Sequence, residues 1–227
     1  MIYRKKKIFV SIDTSSTVKA QSIINQTQTK KLKIGYKFGL EFLNTKNGRK
    51  FLSNLKNKVT FGDYKLADIP NTCASAIKAV KDLKLNYITI HISSGLNALK
   101  AAKKVSGTTR LVGVTILTSL DNKSLKQIGF NKDVKKLVLH QARLAGKANL
   151  DAIVCSPLEV RTVRKVFKKE IITPGIRLAG DKRGDQKRVM TPKQAFQNGA
   201  TSLVIGRSLT SAGNIKKNIQ KLIKELE

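Results

Sequence analysis

The strongest constraint on this chain is a rhythm. Short runs rich in β-branched residues recur at fairly even spacing: IFVSI at 8–12, LKIG at 32–35, VTFGD at 59–63, YITIH at 87–91, LVGVTI at 111–116, AIVC at 152–155, IIT at 171–173 and LVIG at 203–206. Between them lie stretches with apolar residues at helical spacing, such as NTCASAIKAVKDLK, GLNALKAAKKV and KDVKKLVLHQARLAGKA, and NIKKNIQKLIKELE follows the last run. The runs are continuously apolar rather than alternating, as strands are when helices cover both faces of a parallel sheet. Eight β-then-α units in this order predict a (β/α)8 TIM barrel, α/β in class. The competing architecture, a doubly wound open sheet, would carry a glycine-rich dinucleotide turn after its first strand, and SIDTSS has none.

The 227 residues, 41% of them hydrophobic, fit such a barrel as one domain over 1–227, with no linker or low-complexity segment. Ser156-Pro157 and Thr191-Pro192 each pair a capping side chain with a proline suited to the first helical position. Asn149 ends a helix where asparagine can replace glycine.

The N-terminus places basic residues ahead of an apolar run, but IFVSI is far shorter than the apolar core of a signal peptide, and no other segment is long enough to span a bilayer. The expectation is a cytoplasmic protein without a membrane partner. Cys73 and Cys155 lack CxxC spacing and read as buried free thiols, and two histidines without HExxH spacing leave no dedicated metal site. The formal charge of +31 suits a polyanionic partner or lysines spread over solvated helix faces. Aromatic content of 5%, no tryptophan and no RNA-binding motif argue against nucleic acid and for compositional drift. A hypothesis for the charge is faster capture of an anionic substrate.

In a barrel of this kind the chemistry sits at the C-terminal ends of the strands. Asp13 ends the first run, Lys33 lies within the second, Asp63 and Lys65 end the third and His91 ends the fourth. Thr118 and Ser119 follow the fifth, Arg177 follows the seventh and Gly206-Arg207 ends the eighth. Asp13 serves equally well as a site residue or as the cap of the next helix, a role Thr14, Ser15 or Ser16 also suits. Lys33 reads as a site residue or a rim charge, and His91 as a structural strand-end histidine. Asp63-x-Lys65 is harder to explain structurally, because two ionised groups at an enclosed strand end cost desolvation that only mutual pairing offsets. Such a pair keeps a lysine charged and oriented, as a general acid must be. The long loop IITPGIRLAGDKRGDQKRVMTP and the following LVIGRSLTSAGN supply glycines and forked cationic donors where barrels commonly bind phosphate.

Five stretches, DYKLADIPNT at 63–72, TPGIR at 173–177, GDQKR at 184–188, LTS at 117–119 and VIGRS at 204–208, resemble in order the orotidine 5′-phosphate decarboxylase family. The resemblance implies loss of CO2 from orotidine 5′-phosphate to give UMP, the last step of pyrimidine nucleotide synthesis, without metal or cofactor. It implies that Lys65 protonates C6 of the pyrimidine within a charged array of Asp63, Lys33 and, from the partner subunit of a homodimer, Asp68. Ile69 and Thr72 would also cross that interface. Asp13 and Lys33 would hold the ribose hydroxyls, Thr118 and Ser119 the pyrimidine, and Arg177, Gln186, Gly206 and Arg207 the phosphate. Two alternatives are a magnesium-dependent sugar-phosphate decarboxylase or aldolase of the same barrel group, against which IPNT and GDQKR argue, and a basic RNA-binding barrel without catalysis.

Overall fold

A computed structural model describes residues 6–181, 189–210 and 213–227. Among them β1 (Lys7–Ile12), β2 (Lys33–Phe38), β3 (Val59–Leu66), β4 (Tyr87–His91), β5 (Arg110–Val114), β6 (Ala152–Val154), β7 (Glu170–Thr173) and β8 (Ser202–Ile205) pair in chain order. All pairs are parallel, and β8 returns to β1 to close the barrel. Each expected run is a strand, but β2 continues through Tyr36, Lys37 and Phe38 and β3 continues to Leu66, so both reach further toward the C-terminal mouth than the apolar runs alone indicate.

Helices cover the outer face. Thr17–Thr27 is capped by Ser16, whose side chain accepts from the Lys19 amide. Thr191 caps the helix that Pro192 opens, as expected, and Gln194 completes a capping box with it, while Asn149 adopts the left-handed conformation (φ 57°) just after helix Val134–Lys147. The expectation for Ser156-Pro157 does not hold: Ser156 Oγ accepts from the Leu158 amide at 3.3 Å, the pair sits in a turn, and the helix starts only at Val160 with Glu159 at its cap.

Alternation along the strands sorts side chains between two cores. One lies between sheet and helices and includes Ile8, Val10, Ile12, Tyr36 and Phe38. The other fills the barrel with Phe9, Phe61, Tyr87, Val112, Ala152, Ile172 and Val204. Phe9 meets the rings of Phe61 and Tyr87 edge-on, each at 5.1 Å between centroids. Gly35, the register partner of Phe9, makes this possible, since a Cβ there would lie 2.9 Å from the Phe9 ring. The aromatic layer closes the barrel midway.

Below it, the N-terminal mouth is held by Glu170. Its carboxylate accepts from Ser202 Oγ at 2.6 Å, Arg110 at 2.8 Å and the Tyr87 hydroxyl at 3.0 Å, and pairs with Lys7 at 3.5 Å. Lys7 also donates to the Tyr87 hydroxyl and lies 4.6 Å from that ring centroid. Burial raises the Tyr87 phenol above its ordinary value, with the Glu170 charge adding to it. No described helix is long and apolar enough to cross a membrane.

Candidate active site

The C-terminal mouth is shaped by an irregularity in β3. Gly62 pairs with Ile88 and the next pairing is Leu66 with Ile90, so Asp63, Tyr64 and Lys65 together face the single residue Thr89. Such a bulge re-aims side chains, and Lys65 takes a left-handed φ of 50° within it. The Thr89 hydroxyl, fully buried, accepts from the Lys65 amide at 2.7 Å and donates to Asp63 Oδ1 at 3.0 Å.

Asp63 is 7% exposed and is the centre of a charged array. Its Oδ2 accepts from Lys65 Nζ at 2.7 Å and from Lys37 Nζ at 3.1 Å. Lys37 also lies 3.9 Å from Asp13, whose Oδ1 accepts from Ser11 Oγ at 3.0 Å. Burial alone would raise the Asp63 carboxyl, but Lys37 and then Lys65 outweigh it and hold the group below its ordinary value. Both ammonium groups are thereby fixed on the Asp63 carboxylate, with Asp13 as a second, more distant acid beside Lys37. His91, at the end of β4, is pushed down by burial and then by the Lys65 charge, which favours its neutral form.

Ser11, Asp13, Lys37, Asp63 and Lys65 line a cavity of about 240 Å³. Val114, Ile116, Leu117, Thr118, Val154 and Pro174 supply much of the apolar lining, and Arg177, Gly206 and Arg207 line the same cavity, Gly206 close to Asp13. Burial lowers the Arg177 guanidinium, and the Arg207 charge lowers it further, so the two cations face the same space. Arg207 opens the short helix Arg207–Thr210. The ends of the long seventh loop are tied together, since the Arg177 amide donates to Met190 O at 3.1 Å and the Met190 amide to Gly175 O at 3.2 Å. The result is a cleft lined by both a lysine-carboxylate array and a pair of guanidinium groups, a combination that suits a small phosphorylated ligand.

A family model described as Orotidine 5′-phosphate decarboxylase / HUMPS family matches residues 6–222. The chain belongs to this family. It is 39% identical to an orotidine 5′-phosphate decarboxylase of Coxiella burnetii, over 97% of this chain and 97% of that protein. It is 38% identical to the protein of the same name from Actinobacillus succinogenes, with 92% of each chain covered. The crystal structure of orotidine 5′-phosphate decarboxylase from Lactobacillus acidophilus superimposes with a TM-score of 0.83 at 27% identity, covering 98% of this chain and 99% of that one.

Within this family barrel, Asp13, Asp63, Lys65, Thr118, Arg177, Gly206 and Arg207 all line the one cavity. Asp13 is not the cap of the following helix, because Ser16 takes that role and leaves the carboxylate to face Lys37. The expectation for Lys33 is corrected. Lys33 pairs in register with Lys7 at the N-terminal end of β2, exposed and on the far side of the aromatic layer, and Lys37 occupies the place in the array. Both lysines face the same side of β2, so alternation does not separate them; four residues at about 3.3 Å each put them roughly 13 Å apart.

Ser119 is exposed and does not line the cavity. Asp68, Ile69 and Thr72 stand at the surface after the end of β3 and do not line the cavity, with Ile69 66% exposed and Asp68 Oδ1 accepting from the Ile69 amide at 2.7 Å. Gln186 lies outside the described residues. Among the described residues no group of three His, Cys, Asp or Glu side chains is placed to hold a metal ion. Sequence reasoning missed Lys37 and Thr89. The YKF alternation that extends β2 was the available signal for Lys37.

Proposed function

We propose that the protein is a carboxy-lyase that converts orotidine 5′-phosphate to UMP and CO2, with residues 1–227 forming one catalytic barrel that works in the cytoplasm as a homodimer. The observation that carries this reading is Lys65 Nζ, held 2.7 Å from the buried Asp63 carboxylate in a cavity that Arg177 and Arg207 also line.

The chemistry follows from that placement. Arg177, Arg207 and the backbone at Gly206 grip the phosphate, with Gln186 as a further donor. Thr118 contacts the pyrimidine, and Asp13 and Lys37 take the ribose hydroxyls. This puts C6 of the ring at the array. The C6–carboxylate bond breaks, CO2 departs, and the electron pair left on C6 is stabilised by the fixed ammonium groups, which need no reorganisation as charge develops. Lys65 then gives its proton to C6, and its neutral amine regains one from water. Phosphate binding energy from the remote end holds the ring in place. In this reading neither metal nor cofactor takes part.

The apolar surface at Ile69, with Asp68 and Thr72 beside it, suits a second copy of the chain, which would bring its Asp68 to the array. Mixing Lys65→Ala and Asp68→Ala subunits tests this: each variant alone is slow, and the mixed dimer regains one intact site only if sites are shared between subunits.

The assignment itself is tested by following the fall in ultraviolet absorbance of orotidine 5′-phosphate with wild type and Lys65→Ala. The variant is expected to be slower by roughly 100- to 10,000-fold. Equal rates would overturn the assignment, and loss of wild-type activity on adding a chelator would favour the magnesium-dependent sugar-phosphate decarboxylases.

A further inference from the structure

We propose that Thr89 is the positioning residue that sets the Lys65–Asp63 geometry; this rests on the function proposed above. Thr89 is fully buried and, among the described residues, does not line the cavity, so it acts only through its neighbours. It is the one β4 residue between Ile88 and Ile90, whose partners are Gly62 and Leu66, and it therefore stands opposite the whole bulge.

A hydroxyl has one proton to donate and two lone pairs to accept with. Thr89 uses the proton on Asp63 Oδ1 at 3.0 Å and a lone pair for the Lys65 amide at 2.7 Å. The bulge has interrupted the regular ladder at Lys65, and the hydroxyl supplies the acceptor that the amide would otherwise have found on the neighbouring strand. The same oxygen thus fixes both the backbone from which the lysine projects and the carboxylate its ammonium binds. Lys65 holds φ at 50°, a conformation that a non-glycine residue keeps only when its surroundings enforce it. Thr89 is the enforcing contact. Without it the lysine backbone relaxes and the ammonium leaves its aim on the reacting carbon, while Arg177 and Arg207, to which the Thr89 hydroxyl makes no bond, keep their places.

The test compares Thr89→Val, which keeps the shape and removes the hydroxyl, with Thr89→Ser, which keeps the hydroxyl. Rates are measured per folded molecule, with the folded fraction taken from circular dichroism. Thr89→Val is expected to lose roughly 10- to 100-fold in kcat, because small misplacement of a catalytic group has effects of this size. KM and the Kd for UMP should stay near wild type, and Thr89→Ser should restore most of kcat. Unchanged kcat in Thr89→Val, an equal loss in Thr89→Ser, or a matching loss of UMP affinity would each overturn the proposal. A crystal structure of Thr89→Val gives a readout independent of turnover. A lengthened Lys65–Asp63 contact or a changed Lys65 φ supports the role, and a pair still at 2.7 Å refutes it. Failure of the wild type to act on orotidine 5′-phosphate would remove the parent assignment only, leaving the structural comparison to decide on Thr89.

Discussion

Glu170 at the N-terminal mouth and Asp63 at the C-terminal mouth are both acids, 11% and 10% exposed by side chain, and each gathers two basic side chains. Around Glu170 the cations are absorbed: Lys7 lies against aromatic rings and Arg110 folds over Tyr87. Around Asp63 the two lysines border a void that the guanidinium groups of Arg177 and Arg207 also line. The lower cluster is a lock, whose charges are spent on one another and on packed rings. The upper cluster alternates Asp13, Lys37, Asp63 and Lys65 along the edge of an open space, so its ammonium groups have somewhere to act. Composition alone does not distinguish them; the presence of a cavity beside the ions does.

Substitutions can break this contrast. After Lys65→Ala the largest expected effect is in Lys37→Ala, which should lose roughly 100- to 1,000-fold in kcat/KM, the scale for removing one preorganised charged donor, while its unfolding free energy falls less than that of Glu170→Ala because Asp63 keeps Lys65 and Thr89. Glu170→Ala should do the reverse. It strands Lys7, Arg110 and Ser202, so it should cost about 3–5 kcal/mol in denaturant unfolding, with turnover per folded molecule held within about twofold. If both variants lost stability alike and activity alike, the division between lock and site would fail.

A pH titration sharpens the comparison further. The Asp63 carboxyl is below its ordinary value in the folded chain. Its pairing therefore contributes stability above the unfolded value of about 3.9, and that contribution is lost as pH falls through the lower folded value. Unfolding temperature should drop more steeply on acidification in wild type than in Asp63→Asn, and parallel curves would show that the lysines do not hold the carboxylate. The smallest effect is expected for Lys33→Ala, within about 0.5 kcal/mol in stability and without change in activity; a hundredfold loss would restore the sequence-based role for Lys33.

The barrel was legible because each strand carries its own apolar run, a signal that survives errors of a few residues at either end. The site was less forgiving. Reading β2 as LKIG rather than KIGYKF chose between two lysines on one face, and the end of a strand is where an apolar pattern gives out and a functional charge begins. The ambiguity at Asp13 dissolved only when Ser16 was seen capping the helix. Thr89 was illegible for a different reason: inside YITIH it reads as an ordinary strand former, and only the bulge opposite gives its hydroxyl two partners.

The ring of Phe9, Phe61 and Tyr87 has a bearing on traffic. It turns the cylinder into a blind well rather than a conduit, so nothing that enters from above can exit below. In the proposed reaction the gas and the nucleotide leave by the doorway that admitted the substrate, and each turnover must clear that doorway before the next can start.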